Sequence, residues 1–433
     1  MYNIAMYFVQ LGIAIAAIFD HKVRLLWRGQ RAAFKTLKKK VDPNAKYVWV
    51  HAASLGEFEQ GRPIIERIRL QHPEYKILLT FFSPSGYQVR KNYEGADIIT
   101  YLPIDTVTNA RRFLRTIRPV MAFFIKYEFW YNYLHILKHR GVPTYSVSSI
   151  FRPDQIFFSW YGRAYSRVLK CFTKFFVQNE ESRQLLAKIG ITETEIVGDT
   201  RFDRVMTIKS LAKQLPIVEA FTTPHQLPRG GEPAVQEASP LGGLEGVFVA
   251  GSSWPPDEEI FIRYFNEHRE WKLIIAPHVI GEDHLQQIIS RLSPSGATEG
   301  RRRIVRFTQT TREEAAKADT LIIDCFGLLS SIYNYGDVAY IGGGFGVGIH
   351  NTLEAAVWDM PVIFGPNNKK FQEAQGLKAC GGGFEIKDYD EFAALMQRFT
   401  DDEAFLKQSG SQGGHFVKDQ AGATDKVLAS VEL

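Results

Sequence analysis

Residues 47–52 read Tyr-Val-Trp-Val-His-Ala, and residues 246–251 read Gly-Val-Phe-Val-Ala-Gly. Each is a short apolar run that enters a turn of small residues and then a helical pattern. Around the first run, apolar segments at 76–82, 96–101, 120–125, 142–148 and 174–178 alternate with helix-like stretches near 57–71, 107–117, 127–139 and 180–189. The second run restarts the alternation, with segments at 271–276, 302–307, 319–324, 337–342 and 361–364. Continuous apolar strands separated by helices predict parallel sheets covered on both faces. Two such series predict an α/β chain with two doubly wound, Rossmann-like domains facing a cleft, with ligands at the C-terminal strand ends.

The interruption between the two series supports the same division. Residues 214–245 hold Pro216, Pro224, Pro228, Pro240 and a glycine-rich run, a composition that predicts a linker or flexible loop. The expected domains are therefore 41–213 and 246–433, preceded by a separate segment, 1–40. In that segment residues 4–19 are almost wholly apolar, with Gln10 the one strongly polar side chain. Eight Lys or Arg against one acid follow within residues 1–40, a charge of +7 that leaves −2 for the rest of a chain of net +5. The body therefore gives no case for nucleic-acid binding. An apolar helix followed by positive charge predicts a single N-terminal anchor at the cytoplasmic face of the inner (plasma) membrane, spanning the bilayer or lying in it. The three cysteines, Cys171, Cys325 and Cys380, are scattered, and no Cys or His cluster has zinc-ligand spacing.

Candidate chemistry gathers in the loops after strands. His51-Ala-Ala-Ser-Leu-Gly-Glu57 puts Glu57 in the first turn of a helix, where a carboxylate serves either as a general base or as the helix-dipole complement. The dipole alone predicts a lowered pKa. Gly342-Gly-Gly-Phe-Gly-Val-Gly-Ile-His350-Asn-Thr-Leu-Glu354 feeds a strand through a glycine-rich loop into a helix, a pattern that cradles phosphate. Asn351 and Glu354 also have capping-box spacing. Ala250-Gly-Ser-Ser-Trp254 and Ala276-Pro-His278 end strands in the same half. Lys126-Tyr-Glu128-Phe-Trp130 and Gly198-Asp-Thr-Arg201 end strands in the first half. Arg111, Arg112, Arg115 and Arg118 punctuate an amphipathic helix, and aromatic and basic residues mix over 157–174, both suited to a phosphorylated lipid at a membrane surface. Asp388-Tyr-Asp390 imitates a metal-binding Asp-x-Asp motif but reads as a helix cap. No metal and no cofactor are assigned.

Taken in order, these loops resemble the 3-deoxy-D-manno-octulosonic acid (Kdo) transferases of lipopolysaccharide synthesis, glycosyltransferases of the GT-B fold. His51-x-x-Ser54-x-Gly56-Glu57, Ser83-Pro-Ser85-Gly86, Tyr101-x-Pro-x-Asp105, Gly198-Asp-x-Arg201-Phe202, Ala250-Gly251-Ser252-Ser253, His350-Asn351-x-Leu-Glu354 and Phe364-Gly-Pro366 are similar to its motifs, from the N-terminal helix to about residue 376. The resemblance implies CMP-Kdo as donor and the phosphorylated lipid A precursor as acceptor, with inverting transfer and Glu57 as general base. It implies donor contacts from Arg201, Gly251, Ser252, Ser253, Pro277, His278, Gly343, Gly344, Asn351, Thr352 and Glu354. Acceptor contacts would come from Ser54, Gly56, Ser83, Ser85, Glu128 and Arg152. Three features depart from the family: Lys126 replaces an acid, Pro277-His278-Val279 lacks an arginine, and 222–245 matches nothing in it. Two other readings are a UDP-sugar-dependent GT-B transferase or epimerase, and a non-catalytic membrane-bound sugar- or lipid-binding protein.

Overall fold

The computed structural model describes residues 2–223, 246–293 and 302–433, and they form two compact units. The first unit, residues 1–204 with 420–433, is built on a seven-stranded sheet. Its strands are β1 (Lys46–His51), β2 (Tyr75–Phe81), β3 (Ile98–Tyr101), β4 (Met121–Ile125), β5 (Thr144–Ser149), β6 (Lys174–Val177) and β7 (Thr194–Ile196). All pair in parallel, in the order β3-β2-β1-β4-β5-β6-β7. The second unit, residues 205–419, carries β8 (Gly246–Ser253), β9 (Trp271–Pro277), β10 (Ile304–Arg306), β11 (Thr320–Ile322), β12 (Val338–Ile341), β13 (Val362–Phe364) and β14 (Gly383–Glu385). They are again all parallel, in the order β10-β11-β9-β8-β12-β13-β14.

Burial explains why these runs became strands. Residues 47–51 of β1 and 246–251 of β8 are buried on both faces, as strands sandwiched between helix layers must be. One core layer of the first unit gathers Trp49, Phe113, Phe124, Tyr133 and Phe175, and the opposite layer gathers Val48, Phe58, Ile64, Phe123 and Phe176. In each sheet the chain order reverses between two neighbours, β1 and β4 in the first and β8 and β12 in the second. At such a switch point the two following loops leave in opposite directions and open a crevice between them.

Three boundaries differ from those the sequence predicts. The basic segment does not stand apart from the first unit. A second helix, His21–Lys40, buries Ala33 and Leu37, and Leu37 joins the core around Trp49. Gly29 of that helix lies against the Tyr101 ring, where a Cβ would sit 2.2 Å from a ring carbon. Residues 420–433 belong to the first unit, where Ala423 and Val427 pack beside Phe58 and Asp203 accepts from the Thr424 amide at 2.7 Å. Within the predicted linker, Pro216–Thr222 is a helix with Val218 and Phe221 buried, and 224–245 lies outside the described residues. Strands β7 and β14 escape sequence reading because each has three residues and is only partly buried at a sheet edge.

The first helix, Tyr2–Phe19, is the one described helix long and apolar enough to cross a membrane. Only Ala17 is buried, while Phe8 is 69% and Phe19 83% exposed. Its start is tied to the first unit, with the Tyr2 hydroxyl donating to Asp105 Oδ2 at 2.7 Å.

Candidate active site

The first switch point is occupied by the residues that follow β1 and β4. The chain leaves β1 through Ala52 and Ala53 and starts the helix Leu55–Gln71 on an N-cap, Ser54, whose hydroxyl accepts from the Glu57 amide at 3.4 Å. Glu57 completes the capping box. Its Oε2 accepts from the Ala53 amide at 2.6 Å and the Ser54 amide at 3.2 Å. Oε1 has no hydrogen-bond partner among the described residues. The expected lowering of its pKa does not occur. Burial raises it to about 7, Glu128 adds to the rise, and His51 and the two amides only partly oppose it. The capping bonds favour the anion, but desolvation wins.

Glu128 arrives from the other side of the crevice. It is held by His51 Nε2 at 3.1 Å and by the Trp130 indole N–H at 2.6 Å, both on Oε2. Behind them, Trp49 Nε1 donates to Thr80 Oγ1 at 2.8 Å, and Thr80 Oγ1 lies 2.8 Å from His51 Nδ1. Trp130 Nε1 also lies 3.1 Å from His51 Nε2. Here, unlike an isolated indole–imidazole pair, a carboxylate oxygen is shared: with the imidazole proton on Nε2, both N–H groups converge on Glu128 Oε2, while Trp49 donates to Thr80 and Thr80 to His51 Nδ1. The chain of bonds runs from the core of the sheet to a carboxylate beside Glu57. Backbone strain collects here as well, since Lys126 (φ 61°) and Ser148 (φ 52°) are left-handed non-glycine residues at the ends of adjacent strands.

The other first-unit candidates scatter around this crevice. Ser83 and Ser85 share a 2.8 Å hydroxyl contact, and the Ser83 amide donates to Ala53 O at 2.6 Å, which brings that loop beside Ser54. Gly56 faces open space in the first helical turn. Arg152 is exposed, and its charge is felt by Tyr127. Arg201 is not an uncommitted cation, since its Nη2 lies 2.8 Å from Oδ2 of the buried Asp199. Burial opposes ionisation of Asp199, but Arg201 and Gln60 outweigh it and hold the pKa below the ordinary value. Thr80, Asp199 and Gln60 were not legible as site residues. Their signal, a polar residue late in a strand, just after one or inside an amphipathic helix, is too common to select them.

The second switch point has the same logic and different chemistry. Its hub is Asp257, from the run Trp254-Pro-Pro-Asp257-Glu258. Asp257 Oδ2 accepts from the Gly343 and Trp254 amides, both at 2.9 Å, and Oδ1 accepts from Tyr340 Oη at 2.8 Å. It thereby pins the glycine-rich loop to the loop after β8. Sequence reading passed over Asp257, although an acid two residues after Pro255 at a helix start is a capping signal. Glu258 accepts from the Ser253 hydroxyl at 2.9 Å, so that hydroxyl is engaged within the protein. Ser252 is partly exposed and strained, at φ 53°. Gly251 packs against Tyr333. Gly344 lies against the backbone of Gly365, where a Cβ would sit 2.5 Å from an amide nitrogen. Pro277 pairs with Ser253, and His278 follows it with its ring stacked on Trp254 and on His350.

The helix after the glycine-rich loop corrects an expectation. It spans only Leu353–Ala356, so its dipole adds little to anion binding. Asn351 and Glu354 do not form the expected capping box. Asn351 Oδ1 accepts from the Leu353 amide at 3.1 Å, and its Nδ2 donates to Glu354 Oε1 at 3.0 Å. Thr352 is fully buried, and its Oγ1 has no hydrogen-bond partner among the described residues. Asp388 is the N-cap of Tyr389–Asp401 and accepts from the Glu391 amide, as its cap reading predicts.

Two parallel seven-stranded sheets, each with polar loops at its switch point, define the two-domain Rossmann-like class to which GT-B glycosyltransferases and sugar-nucleotide epimerases belong. The chain is similar in fold to a Neisseria meningitidis UDP-GlcNAc 2-epimerase, with TM-score 0.55 and 14% identity, covering 89% of this chain and 98% of that one. It is also similar to Acinetobacter baumannii MurG, with TM-score 0.52 and 9% identity, covering 89% and 98%. Residues 27–204 match the family model described as 3-deoxy-D-manno-octulosonic-acid transferase. A 3-deoxy-D-manno-octulosonic acid transferase of Aquifex aeolicus is 26% identical over 357 residues, 81% of this chain and 84% of the relative. Over most of its length the chain is thus similar to the Kdo transferases, a family of glycosyltransferases.

Proposed function

We propose that this protein transfers Kdo from CMP-Kdo to a phosphorylated lipid A precursor by direct inverting displacement, with Glu57 as the general base. The observation that carries the reading is the state of Glu57. Its Oε2 is fixed by two amides, its Oε1 has no hydrogen-bond partner among the described residues, and its pKa of about 7 matches proton abstraction close to neutral pH. In the reaction Oε1 takes the proton of the acceptor's hydroxyl as that oxygen attacks the anomeric carbon of Kdo, and the bond to the CMP phosphate breaks. The His51–Glu128–Trp130 network holds a second carboxylate near the base and keeps its proton affinity high. Ser54, Gly56, Ser83, Ser85 and Arg152 are proposed to contact the acceptor. Pro277, His278, Gly343, Gly344, Asn351, Thr352 and Glu354, with the loop after β8, are proposed to hold the donor. Arg201 orders its own loop through Asp199, and a donor role for it rests on the family resemblance.

The exposed apolar face of Tyr2–Phe19 is proposed to bind the membrane that holds the acceptor. Its start is bonded to Asp105 and its end runs, through Asp20, into a helix packed on the sheet. Tethering at both ends supports a helix lying in the bilayer interface over one spanning it.

The test compares CMP-Kdo with UDP-sugars as donors to a lipid A precursor, for the wild type and Glu57→Ala. The proposal expects transfer from CMP-Kdo alone and a loss of ~10²-fold or more in kcat/KM on losing the base. Unchanged activity in Glu57→Ala, or turnover of a UDP-sugar in place of CMP-Kdo, sinks it.

A further inference from the structure

In the second unit, three rings meet beside the glycine-rich loop. Trp254 Nε1 lies 3.2 Å from His350 Nε2. The His278 ring stacks on both, with its centroid 4.6 Å from Trp254 and 4.5 Å from His350 and interplanar angles of 23° and 21°. His278 therefore lies across a hydrogen-bonded Trp–His pair. An indole N–H only donates, so His350 Nε2 must offer a lone pair and the imidazole proton must sit on Nδ1. Protonating Nε2 would set two N–H groups against each other. No group among the described residues accepts from Nδ1. The ring itself sits under the loop, 3.4 Å from the position a Cβ on Gly343 would take.

We propose that Trp254 is a positioning residue that fixes His350 as its Nδ1–H tautomer and so presents an uncharged N–H donor to a phosphate oxygen of the bound nucleotide. This rests on the reading that the second unit holds the nucleotide-sugar donor. The chemistry gives the device a purpose. Transfer converts a phosphodiester carrying one negative charge into a phosphomonoester carrying nearly two at neutral pH. A cationic imidazole would grip the product harder than the substrate, whereas an uncharged donor discriminates less and lets the product leave. Burial supports the same state by lowering the His350 pKa to about 4, with His278 adding to the effect. The other titratable groups at hand are Asp257, bonded to the Gly343 amide, and Glu354, which accepts from Asn351.

The experiment is ¹⁵N NMR on the full chain in detergent with ring-labelled histidine, His350 being assigned by its loss in His350→Gln. In the wild type, Nε2 is expected to stay a lone-pair nitrogen and Nδ1 a protonated one from about pH 8 to about 5.5, and CMP is expected to shift Nδ1. Trp254→Phe keeps the stacking ring and removes the donor. It should release the tautomer preference, so that the Nε2 and Nδ1 resonances move toward averaged values while the ring stays uncharged. His350→Gln, which retains an uncharged N–H, should keep CMP affinity within about threefold, while His350→Ala should lose about tenfold. The proposal is overturned if wild-type His350 carries its proton on Nε2 or is an imidazolium near pH 6, or if CMP leaves its resonances unmoved. The wild-type spectrum decides this even where Trp254→Phe fails to fold. Because it is read on resting protein with CMP alone, failure to transfer Kdo counts against the proposed function and leaves this result standing.

Discussion

Glu57 is held where opposing effects meet, and the balance between them sets the pH behaviour of the site. Two backbone amides and His51 stabilise its anion, while burial and Glu128 destabilise it more, leaving a pKa of about 7. The base form is then lost as pH falls through that value, so kcat/KM should drop about tenfold per unit on the acid side. Glu128→Gln keeps the shape and removes the like charge, so the acid limb of the kcat/KM profile should move to lower pH. A limb that stays in place would show that Glu128 does not act on the base electrostatically. Linkage gives a second readout with a definite sign. A carboxyl whose folded pKa lies above its unfolded value of about 4.5 keeps its stabilising proton below that value, and stability falls as pH rises through about 7. Thermal unfolding of Glu57→Gln should therefore exceed wild type by more at pH 8 than at pH 5. Position alone favours the helix-dipole role for Glu57 and only the family resemblance points to a base; its pKa direction was not legible, because it depends on burial and on Glu128, far along the chain.

The loops at the two switch points are the elements that convert strand order into chemistry. Their strands were legible because both-face burial writes itself as unbroken apolar runs. Their internal wiring was not, since Asp257 is one acid among several in a helix start. Asp257→Ala would leave the amides of Gly343 and Trp254 and the Tyr340 hydroxyl unpaired, at ~1–3 kcal/mol for each group that water cannot reach. It should lower Tm and raise the KM for the donor without shifting the acid limb set by Glu57; a shifted limb would contradict the assignment of the two loops to separate tasks. The second helix makes a complementary point. Charge alone reads His21–Lys40 as part of an anchor, but Ala33 and Leu37 face the core. Gly29→Ala forces a methyl group into the Tyr101 ring and should cost ~1–3 kcal/mol by chemical denaturation. A neutral effect would mean that this helix does not rest on the sheet.

At the scale of the whole molecule, the chain joins two sheets of one plan, and residues 420–433 return to the first unit to pack beside Phe58, a closure that no local pattern announces. The apolar helix Tyr2–Phe19 is proposed to bring this plan to a membrane. Removing residues 1–19 should release the protein from vesicles in a flotation assay while leaving the second helix and the core in place. Transfer to the lipid acceptor should fall more than CMP binding; equal losses would point to a folding role for the helix. The central claim is the transfer itself. Mass spectrometry of the lipid after incubation with CMP-Kdo and a lipid A precursor tests it most directly. The account predicts product heavier by whole Kdo residues with the wild type and unmodified precursor with Glu57→Gln. Unmodified precursor with the wild type, or equal product with both proteins, would contradict it.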